Sequence, residues 1–473
     1  MSNHERTVLW VAILASFVAF LDGSIVNVAL PAIAKDLGGG IITQQWVFDG
    51  YLLTLGSLIM VAGSLSDIFG RVRILRTGLV LFGVASLLCA VAPNGGILIS
   101  ARLLQGASAA LLVPSSLALI TSSFKEAPRA RAIGQWTAWT GTAFVAGPLL
   151  GGFLVDAVSW RLVFAINVLP IAATLVLLAR LHDPARTESR TPIDFPGAVL
   201  AALGLAGTVF ALIVQDGPGW GNPVVYLPFA AGLACLGAFI WHQARTPHPM
   251  MPLHLFRERN FGIGNLSTAA FYAGISLGTF IIPIFLQEAA AFTAFAAGMA
   301  TIPLTLMSLA LSALFGPLSG KYGPRLFMSA GPVLAGAGFL LMLSVSDPLD
   351  YWWQVLPGVV LFGIGLAVTV APLTAAVLGG VDPAQSGIGS AINNAVSRVA
   401  GLLAIAAVGL IAGPVLDTAA FHRVVLVAAL LMIAAGIVSA FGISNTKHAE
   451  SLPVPAEATA ACHDRIVPAG TTE

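Results

Sequence analysis

Two short stretches, roughly 250 residues apart, decide how this chain folds. Residues 63–71 read Gly-Ser-Leu-Ser-Asp-Ile-Phe-Gly-Arg, and residues 316–325 read Gly-Pro-Leu-Ser-Gly-Lys-Tyr-Gly-Pro-Arg. Each stretch follows a long apolar run and carries basic residues, as expected of a loop at a membrane surface. A similarity at this spacing indicates an internal repeat of two structurally related halves. The sequence therefore predicts two halves, each with this loop after its second membrane helix.

The composition of the whole chain requires a membrane environment. Hydrophobic residues make up 57% of the sequence and charged residues only 9%, against roughly a quarter charged in an ordinary soluble domain. The apolar runs are continuous and about twenty residues long, enough to cross roughly 30 Å of hydrocarbon as helix. A membrane barrel shows short alternating segments instead. With about fourteen such runs, we expect an all-α membrane protein, and its first run, residues 8–30, is too long for a signal peptide.

Loop charges predict the orientation of the spans. Only three basic residues outside the spans fall on one face of the membrane: Lys35, Arg161 and Arg423. The basic residues on the other face are Arg6, Arg71, Arg73, Arg76, Lys125, Arg129, Arg131, Arg180, Arg186, Arg190, Arg245, Arg257, Arg259, Lys321, Arg325, Lys447 and Arg465. Because cytoplasmic loops carry an excess of basic residues, we expect both termini to be cytoplasmic in an inner (plasma) membrane of bacterial type.

The repeat pairs spans one to six with spans nine to fourteen and divides the chain into four parts. We expect a six-helix bundle in residues 1–190 and a second six-helix bundle in residues 260–445. Between them, residues 191–259 hold two inserted membrane helices with their cytoplasmic loops. The polar tail, residues 446–473, is rich in Ala, Pro and Thr, a composition typical of disorder.

The repeated loop resembles the signature between helices two and three of the major facilitator superfamily, a Gly-x-Leu-x-Asp-x-x-Gly-Arg pattern. Four further stretches resemble the fourteen-span drug:proton antiporter branch: residues 21–31, 102–106, 147–152 and 160–167. The resemblance covers nearly the whole chain except the tail. It implies a major facilitator fold of two six-helix bundles plus two extra linker helices. Ala143 departs from the pattern, since a Gly often stands there, and Gly23 falls at a position where the branch varies.

Asp22 is the leading candidate for the transport mechanism. It lies about fourteen residues into the first apolar run, roughly 21 Å along the axis at 1.5 Å per residue. A carboxylate there costs on the order of 3 kcal/mol on insertion scales, and such acids usually face a cavity or a partner. Desolvation favours the protonated form, as a group that binds and releases protons requires. A structural carboxylate that only caps or pairs is the alternative.

Asp49 and Arg102 extend this candidate site. Asp49 lies in the first outer turns of span two, where a solvated acid at a helix N-terminus is also stable. The resemblance implies a cation-binding or proton role, because antiporters of this branch that accept quaternary ammonium compounds often have an acid there. Arg102 in span four needs an acidic or carbonyl partner, and Asp22 is the leading candidate; the resemblance implies a role in proton transfer. We expect both acids at similar depth, open to the cavity between the halves.

Arg398 is a second arginine at membrane depth. It lies in the middle of span thirteen, and no acid occurs in that helix to neutralise it. We expect its guanidinium to bind backbone carbonyls or the amides of Asn393 and Asn394. A structural role is the favoured interpretation.

Two further motifs carry conformational predictions. Gly147, Pro148, Gly151 and Gly152 in span five allow a kink and close helix contact, and the resemblance associates this motif with exporters, although packing alone would explain it. The charged loop groups are expected to form a conformational gate that pairs across the halves in one state and separates in the other. The gate residues are Gly63, Asp67, Gly70, Arg71 and Arg73.

Aromatic side chains favour lipophilic cations as substrates, because rings near an acid bind cations by cation–π contact. The candidates are Phe17, Phe20, Trp136, Trp139, Phe144, Phe271, Tyr272 and Phe280. No phosphate-binding loop, catalytic grouping or metal-ligand spacing is present in the sequence, and the net charge of +1 argues against a nucleic-acid partner. We therefore expect no enzyme activity and no cofactor.

Together these features predict a proton-coupled antiporter that exports lipophilic, cationic drugs or antiseptics by alternating access. Its partners would be small lipophilic molecules, protons and the lipid bilayer. Export of an endogenous metabolite or antibiotic is the alternative with the same fold. A non-transporting membrane sensor is a third hypothesis, and it would not need Asp22.

Overall fold

The computed structural model describes residues 2–124, 126–181, 194–382, 385–413 and 415–445. In this part of the chain, fourteen helices are long and apolar enough to cross a membrane, which confirms the all-α membrane fold predicted from sequence. The tail and the proposed boundary near residue 190 lie outside the described residues. So do Lys125, Arg186, Arg190 and the side chain of Asp67.

Six spans come before the insert. Their helices are α1 (Asn3–Leu37), α2 (Gly40–Phe69), α3 (Arg71–Ala90), α4 (Gly95–Ser123), α5 (Glu126–Gly141), α6 (Ala143–Ala157), α7 (Arg161–Ala165) and α8 (Val168–Leu178). Helices α5 and α6 form the fifth span, and α7 and α8 form the sixth. Pro31, Pro114 and Pro148 lie inside these helices, where neighbouring helices can satisfy the freed backbone groups.

The insert and the second set of six spans follow. Their helices are α9 (Phe195–Val214), α10 (Pro223–Arg245), α11 (Arg259–Glu288), α12 (Ala294–Tyr322), α13 (Pro324–Leu341), α14 (Leu356–Gly379), α15 (Ser386–Ala406), α16 (Val408–Ala412) and α17 (Thr418–Gly442). A π-helical turn, Tyr351–Val355, leads into α14. Because the number of spans is even, Ser2 and Asn445 lie on the same side of the membrane. We call that side the terminal face and the opposite side the distal face.

The repeated loop forms the same turn in both halves. Gly70 connects α2 to α3 with φ of +95°, and Gly323 connects α12 to α13 with φ of +85°. Side chains strongly disfavour positive φ, so glycine is needed at both positions. The chain thus reverses direction within one residue, which brings consecutive spans side by side.

The packing of the helices is also repeated in the two halves. Helix α4 packs on α2 and α3, and α14 packs on α12 and α13 in the same way. Likewise α1 packs on α6 and α8, and α11 packs on α15 and α17. The fold is therefore two six-helix bundles plus two extra helices.

The inserted helices α9 and α10 pack chiefly on each other, and α9 also contacts α2 and α15. Asp194 ties them together at the terminal face: its carboxylate accepts hydrogen bonds from the Gly197 amide (2.9 Å) and from Gln243 Nε2 (2.6 Å), and it contacts His242 Nε2 (2.8 Å). Partial burial raises the pKa of Asp194, but these hydrogen bonds outweigh it and hold the pKa below its usual value. The insert is thus fastened as one helical hairpin.

The two bundles are packed tightly at the distal face. Along α12, the buried residues are Ala294, Ala297, Gly298 and Ala300 near its distal end, and only Ser319 beyond them. The rest of α12 is only partly buried or exposed, and an interface that is fully buried at one end alone is closed at that end. The structure therefore represents a state that is closed on the distal face and more open toward the terminal face.

Candidate functional site

A fully buried ion pair lies inside the first bundle. Asp22 stands nineteen residues after the start of α1, about 28 Å along its axis. Arg102 Nη1 on α4 lies 2.5 Å from Asp22 Oδ2, and both side chains are 0% exposed. The partner predicted for Arg102 is thus confirmed. The structure differs from the sequence-based prediction in one respect. Asp22 faces the interior of its own bundle and does not open to a cavity between the halves.

Three neutral side chains complete a polar cluster around this pair. Gln105 Nε2 donates to Asp22 Oδ1 (2.8 Å), and Asn167 Nδ2 donates to the same oxygen (2.9 Å). Gln105 also accepts from Arg102 Nη1 (2.7 Å) and donates to Ser86 Oγ (2.9 Å). The cluster joins α1, α3, α4 and the α7–α8 junction. A change of charge at Asp22 would therefore alter hydrogen bonds in all four of these elements.

Arg102 is held on its other sides by α2 and by aromatic rings. Its Nε donates to the Val47 carbonyl (2.8 Å), while its guanidinium carbon lies 4.5 Å from the centroid of the Tyr51 ring and 5.7 Å from that of Phe164. Both ring distances are within the range of cation–π attraction. Breaking a buried ion pair by removing one partner typically costs about 3–5 kcal/mol. The pair is therefore a strong structural element as well as a candidate proton site.

Asp49 is a second buried acid, in a different environment. It lies nine residues after the start of α2 and is 0% exposed, and neither carboxylate oxygen has a hydrogen-bond partner among the described residues. Val47 and Tyr51, on either side of it, both contact Arg102, so Asp49 lies at the level of the Asp22 cluster, as expected. The expected opening to a cavity is absent in this state. Burying an unpaired charge is very costly, so this setting suits the neutral acid.

The span-five motif serves two interfaces. A Cβ added at Gly147 would lie 2.8 Å from Ser24 Cβ, and one added at Gly151 would lie 2.7 Å from Val28 Cγ2, so both glycines permit contact with α1. A Cβ at Gly152 would lie 2.5 Å from Phe295 Cα, on α12 of the other bundle. The close packing that the sequence predicted therefore occurs both within the first bundle and between the bundles.

Polar contacts reinforce this distal closure. Asp156, at the end of α6, accepts hydrogen bonds from the first amides of α12: Oδ1 from Ala294 (3.0 Å) and Oδ2 from Phe295 (2.8 Å). Gln44 Nε2 donates to Glu288 Oε1 (2.5 Å) from one bundle to the other. The sequence patterns alone do not single out any of these residues.

The candidate gate residues lie at the terminal ends of α2 and α3. Arg71 Nη1 donates to the Ala118 carbonyl of α4 (3.0 Å), within the same bundle, and Arg73 is exposed. Gly70 provides the turn described above, and a Cβ at Gly63 would meet nothing within 4 Å. Pairing between the bundles by these groups stays a prediction.

The candidate aromatic side chains differ in their exposure. Phe271 and Phe280 are fully buried, and Trp136 Nε1 donates to Ser16 Oγ (3.2 Å). Trp139 and Phe144 are exposed.

Arg398 differs most from its sequence-based interpretation. It is partly exposed, and no hydrogen bond or ion pair joins its guanidinium to any residue that the structure describes. Of its expected amide partners, Asn393 instead donates to Asn265 Oδ1 (3.1 Å) and Thr268 Oγ1 (2.9 Å). The expectation that Arg398 binds carbonyls or these asparagines was wrong.

Two bundles of six helices that meet at an interface closed at one end are the architecture of membrane transporters built from two related halves. The model of the major facilitator superfamily matches residues 12–405 and 264–467. The chain belongs to this superfamily, and the fourteen candidate spans in its described part agree with the fourteen-span branch that the motifs resemble. Proteins of this class move solutes and are not enzymes.

Several relatives are drug or antibiotic resistance proteins. The methylenomycin A resistance protein of Streptomyces coelicolor is 33% identical over 402 residues, covering 85% of this chain and 84% of that protein. The puromycin resistance protein pur8 of Streptomyces alboniger is 33% identical over 84% of this chain and 80% of its own. The multidrug resistance protein Stp of Mycobacterium tuberculosis is 33% identical over 84% of this chain and 74% of its own.

Solved structures show the same fold at lower identity. A crystal structure of the peptide transporter POT superposes with a TM-score of 0.69 at 17% identity, covering 93% of this chain and 95% of that chain. The POT family transporter PepTSo superposes with a TM-score of 0.68 at 15% identity, covering 93% of this chain and 98% of its own. At such identities the likeness concerns the fold alone.

Proposed function

We propose that this transporter exports lipophilic, drug-like compounds in exchange for protons, and that Asp22 is the acid that carries the proton. The observation that carries the proposal is the fully buried Asp22–Arg102 pair, 2.5 Å apart inside the first bundle. Acids at membrane depth are rare and usually mark substrate or proton pathways. The resistance proteins among its relatives support drug export.

In this mechanism, protonation of Asp22 neutralises one partner of the pair. Arg102 then loses its counter-charge, while Gln105 and Asn167 lose the anionic acceptor that strengthens their hydrogen bonds. Arg102 also holds Val47 of α2, so its release changes how α2 and α4 pack. A local charge change is thereby converted into a shift between two packed states.

Asp49 is the second proposed proton site, because it is buried and its carboxylate has no hydrogen-bond partner among the residues that the structure describes. The preference for cationic substrates predicted from sequence depends on this acid becoming exposed in another state of the transport cycle. We propose the terminal face as the cytoplasmic one, in a plasma membrane of bacterial type, because the described basic loop residues concentrate there. Alternating access would then be gated at that face by Asp67, Arg71 and Arg73.

Export of an endogenous antibiotic is a second candidate, favoured by one observation. The relatives include a cephamycin export protein of Amycolatopsis lactamdurans, 33% identical over 86% of this chain and 84% of that protein. The fold and the coupling would be the same, and only the substrate would differ. A membrane sensor that transports nothing would not require a proton-carrying acid at Asp22.

The test is substrate-induced proton release in proteoliposomes, with Asp22→Asn as the variant. An amide cannot cycle a proton, so coupled export should be lost. Asp36→Asn is a matched control, because Asp36 lies on the same helix, is 47% exposed and pairs with Arg161 at 2.6 Å; it should behave as wild type. Coupling like that of wild type in well-folded Asp22→Asn would refute the assignment.

A double variant separates a structural role of Asp22 from a proton role. Asp22→Asn leaves Arg102 buried without a counter-charge, which by itself destabilises the fold, so the double variant Asp22→Asn/Arg102→Gln restores charge balance. We expect it to fold and still to lack coupling.

Asp49→Asn should weaken the export of cations, divalent ones especially, and spare neutral compounds. Equal losses for both would contradict the cation role.

A further inference from the structure

Arg398 is an unpaired positive charge at membrane depth. It stands twelve residues after the start of α15, about 18 Å along the helix. It is partly exposed, and within the described part of the chain its guanidinium has no hydrogen bond and no acidic partner. An arginine at such depth normally faces a partner or a water-filled cavity. Because Arg398 has no partner among the described residues, we infer that it faces a water-filled cavity.

The contacts of α15 show which way Arg398 faces. A Cβ built at Gly56 of α2 would lie 3.6 Å from Arg398 Cβ, so this side of α15 faces the first bundle. Helix α15 packs along α2 of the first bundle and along α11 of its own bundle. Asn394, one helical turn closer to the terminal face, is exposed on the same side. These residues line the interface between the bundles where a transported compound must pass.

No acid of the described interface balances this charge. Asp22 is fully buried and already paired with Arg102, and Asp49 is fully buried; neither contacts Arg398. An organic cation at this place would be repelled. A carboxylate would gain a charge-assisted, bidentate hydrogen bond.

We propose that Arg398 binds an acidic group of the exported compound, so that the substrates include lipophilic carboxylates or comparable organic anions. This inference rests on the proposed export function and specifies its substrate class. It assigns the substrate charge to the second bundle and the proton to the first. It also predicts a different substrate class from the cationic one that the sequence favoured.

The test measures binding to the purified full chain at fixed pH, with no proton gradient. The probes are naphthaleneacetate, its neutral amide and naphthylethylammonium, followed by fluorescence. Wild type should bind the carboxylate at least about tenfold more tightly than the amide. Arg398→Gln should remove this difference and keep amide binding, while Arg398→Lys should retain part of it. Arg423→Gln is the control, because Arg423 is exposed at the distal face and bonds the carbonyls of Ile411 and Ala412.

Several outcomes would overturn the proposal. An unchanged ratio of carboxylate to amide affinity in Arg398→Gln would do so, as would tightest binding of the ammonium probe by wild type. Loss of all binding in both Arg398 variants would indicate a structural role. Inorganic phosphate that binds as tightly as the carboxylate probe would indicate a site for small anions. If wild type discriminates as expected but releases no protons on transport, the proposed antiport fails and this inference stands.

Discussion

Removal of the Asp156 carboxylate should open the distal face of the transporter. Asp156 belongs to the first bundle, and the two amides that it binds begin α12 of the second bundle. These hydrogen bonds exist only while the bundles are closed at this face. Asp156→Ala therefore weakens one state of the transport cycle and leaves the other unchanged, which shifts the equilibrium between them.

The size of the shift follows from the geometry. Asp156 acts as a second N-cap for α12, and loss of a capping side chain typically costs about 1 kcal/mol. The carboxylate is exposed, so water replaces part of the lost contact and a larger value is not expected. A change of about 1 kcal/mol corresponds to about a fivefold change in the ratio of closed to open molecules.

Spin labels on the distal face would measure this ratio. Val91 and Val415 are 70% and 69% exposed, one in each bundle, and can be replaced by labelled cysteines in a background free of native cysteines. Asp156→Ala should increase the fraction of long distances. Thr293→Ala is the control, because Thr293 caps α12 from within its own bundle and acts equally in both states. Equal distance distributions for Asp156→Ala and Thr293→Ala would refute the reasoning.

Two further predictions concern packing and the buried cluster. Gly152→Ala places a Cβ 2.5 Å from the backbone of α12, so it should lengthen the same label distance and reduce transport, whereas Gly134→Ala, whose Cβ meets nothing within 4 Å, should change neither. Asn167→Ala removes a donor from the buried Asp22 carboxylate and should cost about 1.5–3 kcal/mol of stability, measured by thermal unfolding in detergent. Ser86→Ala, which does not bond Asp22, should cost less, and a reversed order would contradict the arrangement of the cluster.

The sequence was sufficient to predict features that depend on strict physical requirements. Spans follow from hydrophobicity, because backbone groups in lipid must be satisfied within helices. The repeat predicted equivalent loops, and Gly70 and Gly323 do form equivalent turns of positive φ. The Asp22–Arg102 pair was predictable because a charge in hydrocarbon needs a partner and few are available.

Features that depend on how helices rotate about their axes were not predictable. Gln105 and Asn167 lay within the recognised motifs, yet nothing in the sequence indicated that both would bond Asp22. The exposure of Asp22 and Asp49 depends on which face of α1 and α2 turns inward, and a low-polarity helix shows no clear stripe to decide it. For the same reason the sequence did not show that Arg398 would lack a hydrogen-bond partner in the described part of the chain.

The separation of the charged sites changes how coupling can work. A proton and a substrate that compete for one exposed acid need that acid in contact with both, but Asp22 is enclosed by α1, α3 and α4. Helix α2 lies between the two sites, since Val47 and Tyr51 contact Arg102 while Gly56 packs beside Arg398. A rigid helix that contacts the proposed proton site through Val47 and Tyr51, and the proposed substrate site through Gly56 little more than a turn further along, can transmit the state of either site to the other. Coupling through α2 must then be reciprocal, so that substrate binding changes proton affinity by the same factor as protonation changes substrate affinity.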